Sequence, residues 1–231
     1  KAILFDMDGT LLDTESLSDK ALLLAYGSSL PSEVLQQPPM DRWILPWELK
    51  KQILGLRGAE WAPIALNYAK EHWGANPDEL PSPHQFWKNW EESLGAMCEE
   101  IEACVGANEL VEALSATGLP MAIATSSRQA GVAKKRLRHD RIFQHMRAVV
   151  AGDDPAVKNG KPAPDIYIEA ARRVGVHPSE CLVFEDALSG VRAGKAAGCQ
   201  VVAIPDKRFT TKEKEAFEEE ADVVIEDLSI F

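Results

Sequence analysis

With 231 residues, 45% hydrophobic and 26% charged, the chain has the length and composition of a soluble globular protein, either one large domain or a core with a second lobe. Its net charge of -11 is a poor electrostatic footprint for nucleic acid or an anionic membrane, and it contains no run of 18 apolar residues that could span a bilayer. Four cysteines, at 98, 104, 181 and 199, form neither a metal-binding spacing nor a disulfide framework; they read as reduced thiols of a cytoplasmic protein. The opening residues carry no signal-peptide pattern, and whether a leader precedes Lys1 stays open.

In chain order, the first element is a wholly apolar run at 2–5 (AILF). Similar runs recur at 119–124, 148–151, 181–184 and 200–204, with a weaker one at 222–225. Each is short, rich in Val, Ile or Ala, and bounded by Gly, Pro or Asp. Continuous rather than alternating apolarity predicts parallel strands covered on both faces. Helix-length segments separate them. Residues 107–117 place Leu110, Val111 and Leu114 on one face and stop at Gly118. Residues 128–138 are basic and amphipathic, 164–174 open on a proline and stop at Gly175, and 188–197 stop at Gly198. Strand alternating with helix predicts a doubly wound parallel α/β sheet, a Rossmann-like core.

Residues 16–101 break that rhythm. They predict helices at 16–26, 48–56, 60–73 and 83–101, interrupted by a proline-rich stretch at 31–46, and they hold all six tryptophans, at 43, 47, 61, 73, 87 and 90. The economical reading is an all-helical lobe inserted after the first strand, packed by most of those tryptophans. The core would then comprise 1–15 and 102–231. The acidic run at 213–220 reads as a solvated helix face.

In doubly wound sheets ligands bind beyond the carboxyl ends of the strands. Here those ends carry Asp6, Asp8 and Thr10; Thr125, Ser126, Ser127 and Arg128; Gly152, Asp153 and Asp154, followed by Lys158 and Lys161; and Glu185 with Asp186. Carboxylates that close cost energy unless a cation lies between them. A Mg2+ ion and a phosphate would balance the set, the metal taking oxygen ligands and the lysine and hydroxyls donating to phosphate oxygens.

Four motifs in this order, FDMDGTLLDT at 5–14, IATSS at 123–127, GKPAPD at 160–165 and VFEDALSGVRAGKAAG at 183–198, resemble those of the haloacid dehalogenase-like hydrolase superfamily, in the phosphatase branch with a helical cap after the first strand. The resemblance implies that Asp6 is the nucleophile forming an aspartyl phosphate, and that Asp8 is the general acid and then base. It implies that Thr125 and Lys161 bind the transferring phosphoryl group. Asp6, the backbone carbonyl of Asp8, and Asp186 would ligate Mg2+, with Glu185 holding it directly or through water. Retention of Asp8 separates the chain from the dehalogenase and phosphonatase branches, which lack a carboxylate there. Ser18 stands where the similar sugar-phosphate mutases carry a histidine.

The stretches ATSSR at 124–128, GDDPAVKNGKPAPDI at 152–166 and CLVFEDALSGV at 181–191 are most similar to pseudouridine-5'-phosphatase-like proteins. The expectation is a monomeric phosphatase for a nucleoside or sugar phosphate. The alternatives are a 2-deoxyglucose-6-phosphate or glycerol-3-phosphate type phosphatase, a mutase, or a catalytically silent binding protein. Ser126, Ser127 and Arg128 are expected at the substrate, the last two because helix N-termini favour anions. Arg57 is expected to reach the substrate from the lobe, and Trp43, Trp47 and Trp61 are its aromatic candidates.

Overall fold

The computed structural model describes residues 1–31, 34 and 45–231. Six parallel strands form one sheet in the order β5-β4-β1-β6-β7-β8. They are β1 (Ala2–Phe5), β4 (Met121–Ala124), β5 (Ala148–Val150), β6 (Cys181–Glu185), β7 (Gln200–Ala203) and β8 (Val223–Val224). All four residues of β1 are buried, as a central strand covered on both faces must be. Register is set by pairs such as Phe5 with Ile123 on one side and Phe184 on the other. The Phe5 and Phe184 rings stack with centroids 5.1 Å apart. Truncating such a buried ring costs about 3–5 kcal/mol, so this pair alone weighs heavily in a marginal stability.

Two hydrophobic layers sandwich the sheet. On one face Ile3, Phe5 and Ile123 meet Leu110 and Val111 of α5 (Ala107–Ala116) and Phe143 of α7 (Asp140–Phe143). On the other, Leu4, Ala122 and Val183 meet Tyr167 and Ala170 of α8 (Asp165–Val174), Val191 of α9 (Leu188–Ala197) and Phe217 of α10 (Thr211–Glu220). The acidic run at 213–220 is thus solvated on one face while Phe217 anchors the other. The basic segment after β4 is shorter than its sequence suggests: α6 spans Gln129–Arg136, and the chain then turns into α7.

Between β1 and β4 lies a helical lobe with its own core. It holds α1 (Glu15–Tyr26), α2 (Trp47–Ile53), α3 (Gly58–His72) and α4 (Pro83–Ala96). Leu22, Tyr26, Leu49, Trp61, Leu66 and Phe86 pack together there, separately from both sheet layers. Ser82 caps α4 by accepting from the Gln85 amide at 3.2 Å, with Pro83 in its first turn. The helix stops at Ala96, short of the expected residue 101, and a 3-10 turn at Cys98–Glu100 follows. The proline-rich stretch and Trp43 lie, apart from a few residues at its ends and Val34, outside the described residues.

Two strands of two residues each, invisible to any periodicity, mark the crossings between lobe and core. β2 (Leu12–Asp13) and β3 (Glu102–Ala103) pair antiparallel, Leu12 opposite Ala103. Beyond this ribbon the lobe docks on the core through side chains. Ser126 Oγ donates to the Gly55 carbonyl at 2.8 Å, and Ser189 Oγ to that of Leu54 at 3.3 Å. Lys51 pairs with Glu213 at 2.9 Å. Trp47 packs edge-on against Phe209, centroids 4.7 Å apart. Among the described residues no helix is long and apolar enough to cross a membrane.

Candidate active site

The site lies at the carboxyl edge of the sheet under the lobe. Asp6 directly follows β1 and is 5% exposed; its amide donates to the Phe184 carbonyl, which carries the strand geometry one residue further. The chain then turns at Gly9, whose φ of +86° suits glycine and whose added Cβ would lie 2.3 Å from Asp186 Oδ2. That turn brings Asp6 and Asp8 beside the ends of β4 and β6.

At the β6 end, Lys161 Nζ lies 2.5 Å from both Asp6 Oδ1 and Glu185 Oε1. Tyr167 Oη donates to the same Glu185 oxygen at 2.7 Å, and the Ala187 amide donates to Oε2 at 3.1 Å. Gly190 is required under this carboxylate, since a Cβ there would fall 1.8 Å from Oε1. Asp186 accepts from Thr10 Oγ1 at 3.1 Å. Oxygens of Asp6, Glu185 and Asp186 all lie within 4.8 Å of one another, and all three residues are buried. Burial pushes Asp6 up to about 8 against the pull of the Lys161 ammonium, with the Glu185 and Asp8 charges adding to the rise. Burial, then the charges of Glu185 and Asp6, raise Asp186 well above the usual carboxylate range. Burial alone would lower Lys161, but the Asp6 and Glu185 carboxylates raise it. Three carboxylates with one ammonium leave the cluster short of positive charge.

At the β4 end, Ser127 Oγ donates to Asp8 Oδ2 at 2.7 Å, and Thr125 Oγ1 reaches the same oxygen at 3.4 Å. Asp8 Oδ1 takes an ion pair from Lys135 of α6. Burial opposes the Asp8 charge, but the Lys135 ammonium and hydrogen bonds from Lys135, Ser127 and Thr14 outweigh it and hold the carboxyl below its usual range. Two neighbouring carboxylates, Asp6 and Asp8, are thereby pushed in opposite directions.

Asp6, Asp8, Thr125, Ser126, Ser127, Arg128 and Arg57 line one cleft of about 480 Å³, while Lys161, Glu185 and Asp186 lie beneath it. Two of the expected substrate contacts are engaged elsewhere. Arg57 donates to the backbone carbonyls of Val157 at 3.2 Å and Lys158 at 3.4 Å, and Ser126 donates to Gly55. Their polar groups tie lobe to core. Arg128 faces Glu91 at 3.3 Å and Asp153 at 3.4 Å, and its guanidinium lies 5.2 Å from the Trp87 ring. The aromatic wall is formed by Trp61, Trp87 and Trp90. Trp47 sits instead on Phe209, with the Arg208 guanidinium 4.7 Å from its ring, at the seam between lobe and core.

Lys135 and Tyr167 were not among the residues singled out from sequence. Lys135 gives no local signal in the sequence; in the fold it stands three residues after the buried Val132, on the inward face of α6. Tyr167 reads in sequence only as part of an apolar helix face.

A doubly wound α/β core, a helical lobe over its carboxyl edge, and a buried lysine–carboxylate cluster beside a second, differently tuned aspartate define a capped hydrolase class that works on an anionic group. The family model for haloacid dehalogenase-like hydrolases matches residues 1–198. The chain belongs to that family, and it is a phosphoric monoester hydrolase of it.

Over 213 residues it is 37% identical to a protein of Drosophila melanogaster named "Probable pseudouridine-5'-phosphatase", covering 89% of this chain and 82% of that one. It is also 37% identical to (DL)-glycerol-3-phosphatase 2 of Arabidopsis thaliana, covering 90% of this chain and 80% of the other. Among solved structures, CbbY from Rhodobacter sphaeroides in complex with phosphate superposes with a TM-score of 0.74 at 25% identity, covering 99% of this chain and 94% of that chain.

Proposed function

We propose that the protein is a Mg2+-dependent phosphatase of small phosphomonoesters that works through an aspartyl phosphate on Asp6. The observation that carries this reading is the Asp6–Lys161–Glu185–Asp186 cluster beneath a cleft that Asp8 also lines. The donor set fits a hard divalent cation: buried carboxylate oxygens on adjacent strand ends, with negative charge in excess. Asp6, Asp186 and the backbone carbonyl of Asp8 would hold it. Glu185 fits the water-mediated place better than the direct one, because both its oxygens already accept protein hydrogen bonds. When bound, Mg2+ neutralises the phosphate and so lets an anionic nucleophile approach.

Lys161 holds Asp6 toward the cleft and offers its charge to the phosphoryl oxygens; Thr125 offers a hydroxyl. A carboxylate oxygen of Asp6 forms a bond to phosphorus as the bond to the leaving oxygen breaks. The leaving oxygen takes that electron pair and a proton from Asp8. Asp8, now ionised, accepts a proton from water as the water oxygen bonds to phosphorus. The bond between phosphorus and Asp6 then breaks, returning the carboxylate and releasing phosphate.

The lobe, residues 16–101, is read as a cap domain that excludes water and contacts the leaving group, hinged at the β2–β3 ribbon. The substrate proposed is a nucleoside or sugar phosphate, with 5'-pseudouridylate the nearest analogue. The relative's name supports that choice, as does the wall of Trp61, Trp87 and Trp90, which suits a flat base. A glycerol-3-phosphate type activity is the second reading, favoured by the equally similar Arabidopsis protein. A mutase is less well supported, since Ser18 lines the cleft where the similar mutases carry a histidine. We take the enzyme to be a cytoplasmic monomer; its four free thiols suit a reducing compartment.

The test is phosphate release from p-nitrophenyl phosphate and from a panel of nucleotides, pseudouridylate, hexose phosphates, glycerol 3-phosphate and phosphoglycolate, with Mg2+ and with EDTA. Metal-dependent release by the wild type and none by D6N supports the reading. No release above D6N on any member of the panel overturns it. A polyol as the best substrate overturns the nucleoside choice alone.

A further inference from the structure

Like Lys161, Lys135 is a buried lysine paired with one of the two aspartates after β1, its side chain 3% exposed, and the reaction as written above gives it no task. It comes from the inward face of α6 and contacts Asp8 Oδ1 and, at 3.2 Å, Ser127 Oγ. The other Asp8 oxygen, Oδ2, faces the hydroxyls of Ser127 at 2.7 Å and Thr125 at 3.4 Å. This asymmetry has a chemical consequence. An ammonium has three donors and no acceptor, so the oxygen facing it stays an acceptor; a hydroxyl donates or accepts by rotating. A proton carried by Asp8 therefore sits on Oδ2, where Ser127 and Thr125 can turn to accommodate it.

Resting on the phosphatase reading, we propose that Lys135 is a positioning residue that pins Oδ1 of Asp8 and so makes Oδ2 the oxygen that delivers the proton to the leaving group and takes it back from water. Lys161 and Lys135 thus divide the site. One holds the nucleophile and the phosphoryl group; the other holds the acid–base carboxylate. The bonds made and broken are those of the two steps above, with the proton leaving and returning at Oδ2. Two segments far apart in sequence, the turn after β1 and α6, meet through this contact, and Ser127 in the loop between β4 and α6 closes the triangle with both.

The test compares K135M and K135R with wild type on an alkyl phosphate and on p-nitrophenyl phosphate, with inorganic phosphate as a competitive inhibitor. Expulsion of p-nitrophenolate needs no proton, whereas expulsion of an alkoxide does. The K135M change is expected to lower kcat/KM for the alkyl ester by about 30-fold or more and that for the aryl ester by less than about fivefold. On the aryl ester kcat should fall together with KM, because hydrolysis of the aspartyl phosphate still needs Asp8. The inhibition constant for phosphate should change by less than about twofold, and K135R should recover part of the alkyl activity.

Equal losses of kcat/KM on both esters overturn the proposal, as does a large rise in the phosphate inhibition constant, which would make Lys135 a phosphate ligand. Should K135M fail to fold, S127A removes the donor on Oδ2 and must show the same dependence on leaving group; equal losses there also overturn it. A wild type inactive on both esters with Mg2+ is a different outcome: it removes the phosphatase reading and this inference with it.

Discussion

The Tyr167 hydroxyl donates to Glu185 Oε1 at 2.7 Å in a site where neither side chain is exposed to solvent. The same oxygen receives Lys161, so one carboxylate oxygen orients the lysine that holds Asp6. Each contact limits the freedom of the next, from α8 through β6 to Asp6 after β1.

The Y167F variant should therefore fold and lose activity without losing its substrate. Removing the hydroxyl leaves Glu185 with two donors in place of three and loosens Lys161. We expect kcat to fall about three- to tenfold, in line with the loss of one hydrogen bond worth about 1 kcal/mol, with KM nearly constant. Steady-state kinetics decide it; an unchanged kcat would show that Lys161 and Ala187 suffice to hold Glu185.

D6N and D8N should both be inactive but differ in metal binding. In the proposed reading Asp6 would offer its carboxylate to the cation, whereas Asp8 would offer only its backbone carbonyl. D8N should lose at least about 10²-fold in turnover, the worth of a placed acid–base group, and keep its Mg2+ affinity. D6N should bind Mg2+ more weakly. Isothermal titration calorimetry separates them, and equal losses of affinity would contradict the assigned roles.

Lys50 is 2% exposed and lies 2.5 Å from both Asp19 Oδ1 and Glu15 Oε2, with Arg208 of the core 3.5 Å from Asp19. K50M would strand two carboxylates at the base of the cap. Breaking a buried pair in this way costs about 3–5 kcal/mol, so urea melts should show a large loss of stability. A loss below about 1 kcal/mol would mean that water reaches the cluster.

Glu169 receives Arg172 at 2.7 Å and Arg173 at 2.7 Å. The Arg172 hydrogen bond, opposed by burial and aided by Arg173, lowers its carboxyl to about 2 from an ordinary 4.5. The folded value lies below the unfolded one, so this stabilisation is complete above pH 4.5 and fades as pH falls toward 2. Because Arg172 is largely solvent-exposed, the gap between wild type and E169Q should be about 1 kcal/mol or less at pH 7. Urea melts at pH 7, 5 and 3.5 should show that gap constant between the first two and shrinking at the third. A gap that grew in acid would reverse the sign.

What the sequence determined by itself is the frame and which polar residues stand at its strand ends. AILF at 2–5 is apolar at every position, and only a strand covered on both faces satisfies that pattern, so Asp6 had to stand at a sheet edge. Glu185 and Asp186 follow from the same rule, because a strand end is a local property; Lys161, in the loop between β5 and α8, stands out only through the GKPAPD motif. The tertiary structure alone decided what depends on side chains meeting across the chain. Lys135 and Asp8 are 127 residues apart, and no local pattern tells a buried lysine that pairs with a carboxylate from one at the surface. Arg57 and Ser126 line the cleft as the sequence suggests, but that they also reach backbone carbonyls across the lobe–core seam is visible only in the fold. Trp61, Trp87 and Trp90 came to line the cleft, and Trp47 to cover the cap–core seam, through the angle at which one small core docks on another. That angle arises from hydrogen bonds and ion pairs between distant segments, and residue spacing carries no record of them.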